Sequence, residues 1–155
     1  MIEPMPLIDQ NERAAVASQA ELLGLAKLCE ADNSVVVTGL TAAALRGWTT
    51  AATHTRHVAV HPMGAGRLPK GTVALLDEDP LWRHQKLHDS RGRLYRVADP
   101  VRTLVDLAAS DCDPFLVAES FAAGRDEVRH EEVMEFAEAR SKELAFRVRG
   151  LLAAG

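Results

Sequence analysis

The stretch Asp99-Pro-Val-Arg-Thr-Leu-Val-Asp-Leu-Ala-Ala109 constrains this chain more than any other, because it sets both where a helix begins and which face it buries. Asp99 is an N-cap residue whose carboxylate can accept from the free N–H groups of the first turn. Pro100 stands at the first helical position, where its missing N–H costs nothing and its fixed φ suits the helix. Val101, Leu104, Val105 and Ala108 form one apolar stripe at helical spacing, and Leu107 broadens it. A helix with so wide an apolar face packs inside a domain. Arg102 and Asp106 are four residues apart and face each other on the helix surface. Two roles are open to that pair: a structural ion pair at the rim of the core, which is the favoured reading, and a contact site for a partner.

The chain has 155 residues, enough for one domain with a real core, so residues 1–155 are read as a single domain. Aromatic residues make up only 5% and much of the apolar share is alanine, which favours close-packed helices over a large β-sandwich. The net charge is −4, so no basic field covers the whole protein, although a local basic patch stays open. Cys29 and Cys112 are far apart in sequence and are read as reduced thiols. The first residues, Met-Ile-Glu-Pro-Met-Pro, lack the basic start and apolar run of a signal peptide. No apolar run approaches the roughly 20 residues of a membrane span. The expectation is a cytoplasmic protein with no membrane partner.

Along the chain, residues 1–10 carry two prolines and read as an extended arm. Glu12 to about Ala31 reads as a helix, followed by the short β-branched run Val35-Val-Val37. Thr38 to Arg46 reads as a second helix capped by Thr38 or Thr41, with Gly47 as its left-handed terminator and Trp48 packing back. Arg56 to His61 alternates like a half-buried strand, Pro62 to Gly71 is a loop, and Thr72 to Leu76 is another strand. Trp82 to Asp89 fits either a short helix or a strand. Leu94 to Val97 is a strand feeding Asp99. Helices are expected from Pro114 to Ala123, stopped by Gly124, then from Glu127 to Arg140 and from Leu144 to Ala154. The predicted class is α+β: a small, mostly antiparallel central sheet of about three strands, flanked by N-terminal and C-terminal helices. Antiparallel pairing is expected because loops, not long crossovers, join the strands.

Chemistry-bearing motifs are sparse. His54, His57 and His61 would share a helix face, but their neighbours argue for a strand, and no carboxylate or cysteine stands nearby in sequence to complete a ligand set. His84 and His88 form a similar incomplete pair. Met63-Gly-Ala-Gly-Arg-Leu-Pro-Lys-Gly71 begins like a phosphate loop but lacks both the third glycine that opens a helix and the Gly-Lys-Ser/Thr of a P-loop. No nucleophile context is recognisable, so the expectation is a non-enzyme with no metal and no cofactor. Contact with a partner or nucleic acid is assigned to Arg46, Arg56, Arg67, Lys70, Arg91, Arg93 and Arg96.

Three segments together resemble the antitoxin domain of the AbiEi family of type IV toxin–antitoxin systems. Val35 to Trp48 is similar to the family's "hydrophobic, Ser-His-x-Thr-Ala-Ala, Leu-x-Gly" helix, with Thr38-Gly39 in place of Ser-His. His57-Val-Ala-Val-His61 is similar to its first sheet strand. Tyr95 to Ala108 is similar to its "Pro-x-Arg-Thr-Leu-x-Asp-Leu-Ala" signature, which makes Asp99, Pro100, Arg102 and Asp106 signature positions. The likeness runs from about Ser34 to Arg140. The family's winged helix is not recognised before Val35, nor a nuclease-like domain at the other end.

The resemblance implies a non-enzymatic antitoxin-like or regulatory protein that acts through a protein partner, such as a nucleotidyltransferase toxin. The alternative is a small DNA-binding transcriptional regulator that uses the local basic patch. A third reading is a phage-encoded defence or counter-defence factor. An apolar face on the first helix, without its winged-helix neighbour, makes a homodimer an expectation.

Overall fold

The computed structural model describes residues 5–6, 19–49, 55–89 and 91–154. The class is α+β as expected, but the sheet is larger and its pairing is mixed. In chain order the elements are β1 (Met5–Pro6), α1 (Gln19–Ala31), β2 (Val36–Val37), α2 (Gly39–Leu45), β3 (Arg56–Val60), β4 (Thr72–Leu76), β5 (His84–His88), β6 (Leu94–Ala98), α3 (Pro100–Ala109), α4 (Pro114–Gly124), α5 (His130–Arg140) and α6 (Lys142–Ala153). Two 3-10 segments, Pro62–Arg67 and Arg125–Glu127, join β3 to β4 and α4 to α5.

The six strands lie in the order β1-β5-β6-β2-β3-β4. Only β5–β6 and β2–β3 pair antiparallel; β1–β5, β2–β6 and β3–β4 pair parallel. The expectation of about three mostly antiparallel strands is therefore corrected. Residues 61–71 looked like a plain loop, yet their 3-10 segment carries the chain back over the sheet, so β4 starts beside the start of β3. The predicted arm is corrected in part: Met5–Pro6 forms the short strand beside β5, and the rest of 1–10 lies outside the described residues. Trp82 to Asp89 resolves as strand β5, because Leu87 and Gln85 pair with Tyr95 and Val97 of β6.

Two apolar layers sandwich the central strands. Helix α1 lays Leu22, Leu25 and Cys29 over Val37, Leu87, Tyr95 and Val97. The apolar face of α1 is thus covered by the sheet, which removes the ground on which a homodimer was expected from that helix. Burial pushes the Cys29 thiol pKa up, as an apolar environment disfavours the thiolate. The second core joins α2 to all four C-terminal helices, with Leu40, Trp48, Leu104, Phe121, Val133, Phe136 and Val148 among its members.

Local signals set most element ends. Gly47 has φ 78°, a left-handed terminator, and the Trp48 N–H donates to Ala43 O at 2.9 Å as the ring folds back. Thr38 is extended before α2 but makes no side-chain cap; its hydroxyl is used elsewhere. Gly124 does not stop its helix by adopting a left-handed conformation: its φ is −86° and the chain runs on into a 3-10 turn. Glycine is required there for another reason. A Cβ at this position would stand 2.8 Å from Trp48 ring carbons. Gly124→Ala is expected to cost about 1–3 kcal/mol by overpacking, read as a lower urea midpoint at unchanged slope. Unchanged stability would mean the Trp48 ring can retreat.

Candidate functional site

The sequence of α3 builds its own start and then its own charge network. Asp99 Oδ1 accepts from the Arg102 N–H at 2.9 Å, the predicted N-cap, with Pro100 next. The other Asp99 oxygen accepts from Arg83 Nε at 2.9 Å, and Arg83 also reaches Glu132 at 3.0 Å. Arg83 holds a left-handed φ of 59°, and its carbonyl accepts from the Asp99 N–H at 2.7 Å. This ties the β4–β5 connection to the cap of α3 from both sides.

One turn later, Arg102 lies wholly inside the protein. Its Nε donates to Asp106 Oδ2 at 3.0 Å, and one Nη to Asp77 Oδ2 at 2.6 Å. The other Nη donates to the carbonyls of Pro80 at 2.7 Å and Trp82 at 2.6 Å. Arg140 from α5 stands 3.0 Å from Asp106 Oδ1 and 3.5 Å from Asp77. The Thr38 hydroxyl donates to Asp106 at 2.6 Å. Two arginines and two aspartates therefore neutralise one another, and the planar guanidinium of Arg102 satisfies its donors in the fork geometry only Arg offers. The pair sits deeper than the rim position read from the sequence. Being fully buried, Arg102 itself cannot touch a partner.

A cleft of about 410 Å³ opens on this network. Thr38, His57 and Asp106 line it, with Val73 and Leu75 from β4 and Ser110 at the end of α3. Burial alone lowers the His57 pKa, so its imidazole is held toward the neutral form. His57 and His61 are both on or beside β3, while His54 lies outside the described residues. Among the described residues, no group of three His, Cys, Asp or Glu side chains is placed to hold a metal ion.

The seven cations assigned to contacts do not form one patch. Arg46 is buried, donating to Gln85 at 2.8 Å and to Ala98 O at 2.6 Å, and it lies over the Trp48 ring. Burial pushes its pKa down to about 10. Arg96 holds the end of α1 by donating to the carbonyls of Cys29, Asp32 and Val35. Arg93 pairs with the buried carboxylate of Asp89 at 2.5 Å. Arg56 packs its guanidinium against Gly24 of α1, where a Cβ would meet it at 2.7 Å. Arg67, Lys70 and Arg91 remain exposed. Lys70 precedes β4, whereas Arg91 lies in the β5–β6 turn at the opposite end of the sheet, with β6, β2 and β3 in between. Arg67 shares a cleft with Asp32, Glu78 and Asp79, which offset its charge.

Three of the residues that matter most escaped the sequence reading. Asp77 follows the strand Thr72–Leu76 and Arg140 ends the helix expected from Glu127, and no spacing singled out either, yet both close the α3 network. Asp89 is 2% exposed and accepts from the Tyr95 hydroxyl, the Arg93 side chain and the Arg91 and Arg93 N–H groups. Its i,i+4 spacing to Arg93 was the available signal.

No protein-family model matches this chain, and no curated protein matches it at a significant level.

Proposed function

We propose that this chain is a non-enzymatic, antitoxin-like domain that acts through a protein partner, with a nucleotidyltransferase toxin as the target class. The resemblance of Tyr95–Ala108 to the AbiEi signature supplies the target class. The observation that carries the protein-partner reading is the aromatic chemistry turned outward on the helical layer: Phe115 on α4 is 85% exposed and Phe146 on α6 is 75% exposed. Ordinary folding leaves phenylalanine inside, and exposed aromatics are the usual anchors of protein interfaces. No helix in the described residues is long and apolar enough to cross a membrane.

Co-expression with a nucleotidyltransferase toxin from the same genome tests this reading. Growth is expected to recover with the wild-type chain and to fail with Phe115→Glu/Phe146→Glu at equal expression and melting temperature. Absence of rescue by the wild type, or rescue indifferent to the double variant, overturns it. A DNA-binding regulator is the second reading, resting on the exposed but separated cations Arg67, Lys70 and Arg91. It requires affinity for duplex DNA that falls steeply with salt.

A further inference from the structure

Strand β4, Thr72-Val-Ala-Leu-Leu76, closes one side of the sheet, and among the described residues no strand covers it. It carries no charge, although edge strands are normally blunted by charge, proline or a bulge. Val73 is 48% exposed and Leu76 57%. These two side chains point to opposite faces of the sheet, so neither flanking layer reaches over the edge.

The hydrogen-bond phase identifies which groups are free. The Arg56 N–H donates to Gly71 O at 2.8 Å, and the Asp77 N–H to Val60 O at 2.9 Å. Gly71, Val73, Leu75 and Asp77 therefore turn their backbone groups toward β3. Thr72, Ala74 and Leu76 turn theirs outward.

We infer that β4 pairs antiparallel with β4 of a second copy of this chain, about a twofold axis through Ala74. That register joins the three outward-facing residues: Ala74 with Ala74 of the second copy, and Thr72 with Leu76 in both directions. Each pair exchanges both N–H···O=C bonds. Val73 meets Leu75 on one face, and Thr72 meets Leu76 on the other. The flanks favour this direction, because antiparallel pairing brings Lys70, in the turn before β4, to the end at which Glu78 of the second copy follows its strand. Both residues are exposed, and neither forms an ion pair among the described residues. Parallel pairing in register would instead set Lys70 beside Lys70 and Glu78 beside Glu78. The product is one continuous sheet across two subunits with an isologous interface. This inference is independent of the toxin reading, since Phe115 and Phe146 lie on the helices.

Sedimentation equilibrium of the full chain at micromolar concentration tests the pairing. The wild type is expected to be a dimer. Ala74→Pro, which removes an outward N–H and no bond to β3, is expected to be a monomer. Ala74→Lys sets two like charges about 5.5 Å apart between Cα atoms at the twofold and is expected to give the same result. Lys70→Glu and Glu78→Lys are each expected to raise the dimer Kd by about fivefold, and the double exchange to restore it. A monomeric wild type, a dimer that survives both Ala74 substitutions with its fold intact, or a double exchange that does not restore affinity overturns the inference.

Discussion

Replacing Arg102 with methionine is expected to destabilise the fold by about 3–5 kcal/mol, because it takes the fully buried cation from between the buried carboxylate of Asp106 and the half-buried one of Asp77. Methionine fills much the same volume, so the loss reports charge and hydrogen bonding, not a cavity. Asp106, at 2% exposure, keeps the Thr38 hydroxyl and Arg140, a partly exposed cation at 3.0 Å from its other oxygen. The carbonyls of Pro80 and Trp82 also lose their donor, so the segment that carries the chain from β4 to β5 is held to α3 by Arg83 alone of its two arginine ties. The melting temperature is expected to fall by roughly 10 °C. Arg140→Met is the control. Its side chain is 26% exposed, so water screens the pair and the loss is expected near 1 kcal/mol. An Arg102→Met protein within about 1 kcal/mol of wild type would show that the network's desolvation cost cancels its attraction.

The second large effect is expected at Asp89. Asp89→Ala removes the acceptor of the Tyr95 hydroxyl, whose residue is 1% exposed, and of two backbone N–H groups of the β5–β6 turn. Unmet buried donors cost about 1–3 kcal/mol each, and water reaches those of the turn, so a loss of about 2–4 kcal/mol is expected. Tyr95→Phe removes one donor, keeps the ring in the α1 core and is expected to cost about 1 kcal/mol. Burial raises the Asp89 pKa, but the bonds from Tyr95, Arg93 and Arg91 outweigh it and hold the carboxyl below its ordinary value. Burial, with the hydrogen bond to Asp89 and that carboxylate's charge, pushes the Tyr95 hydroxyl pKa up against the opposing influence of Arg93. A depressed folded-state pKa means the unfolded chain takes up the proton first. The stabilisation is therefore complete above about pH 4 and is lost as pH falls through the folded-state value. Urea midpoints measured from pH 7 down to pH 3 are expected to drop less in Asp89→Ala than in wild type. Equal slopes would remove Asp89 from the acid limb.

What was legible in the candidate site follows how local its causes are. The N-cap Asp99, Pro100 and the i,i+4 pair Arg102–Asp106 are encoded within two helical turns, and each stands as the spacing predicts. The basic residues misled because charge does not state where a side chain goes. Arg46 and Arg96 run along the sheet and donate to carbonyls left open at helix and strand ends. That need for donors arises only once α1, β2 and β6 have come together. Asp77 meets Arg102 from 25 residues away, and no periodicity links them.

By itself the chain's sequence determined the α3 and α4 starts, the Gly47 stop, the strands β3, β4 and β6 and the α+β class, because capping, fixed proline φ and apolar periodicity act between near neighbours. Only the tertiary structure decided the parallel pairings of β2–β6 and β3–β4, the burial of Arg102 and the uncovered edge at β4. Strand order and ion pairing are chosen by the burial of apolar area and the neutralisation of buried charge across distant segments, and those energies exist only after the segments meet.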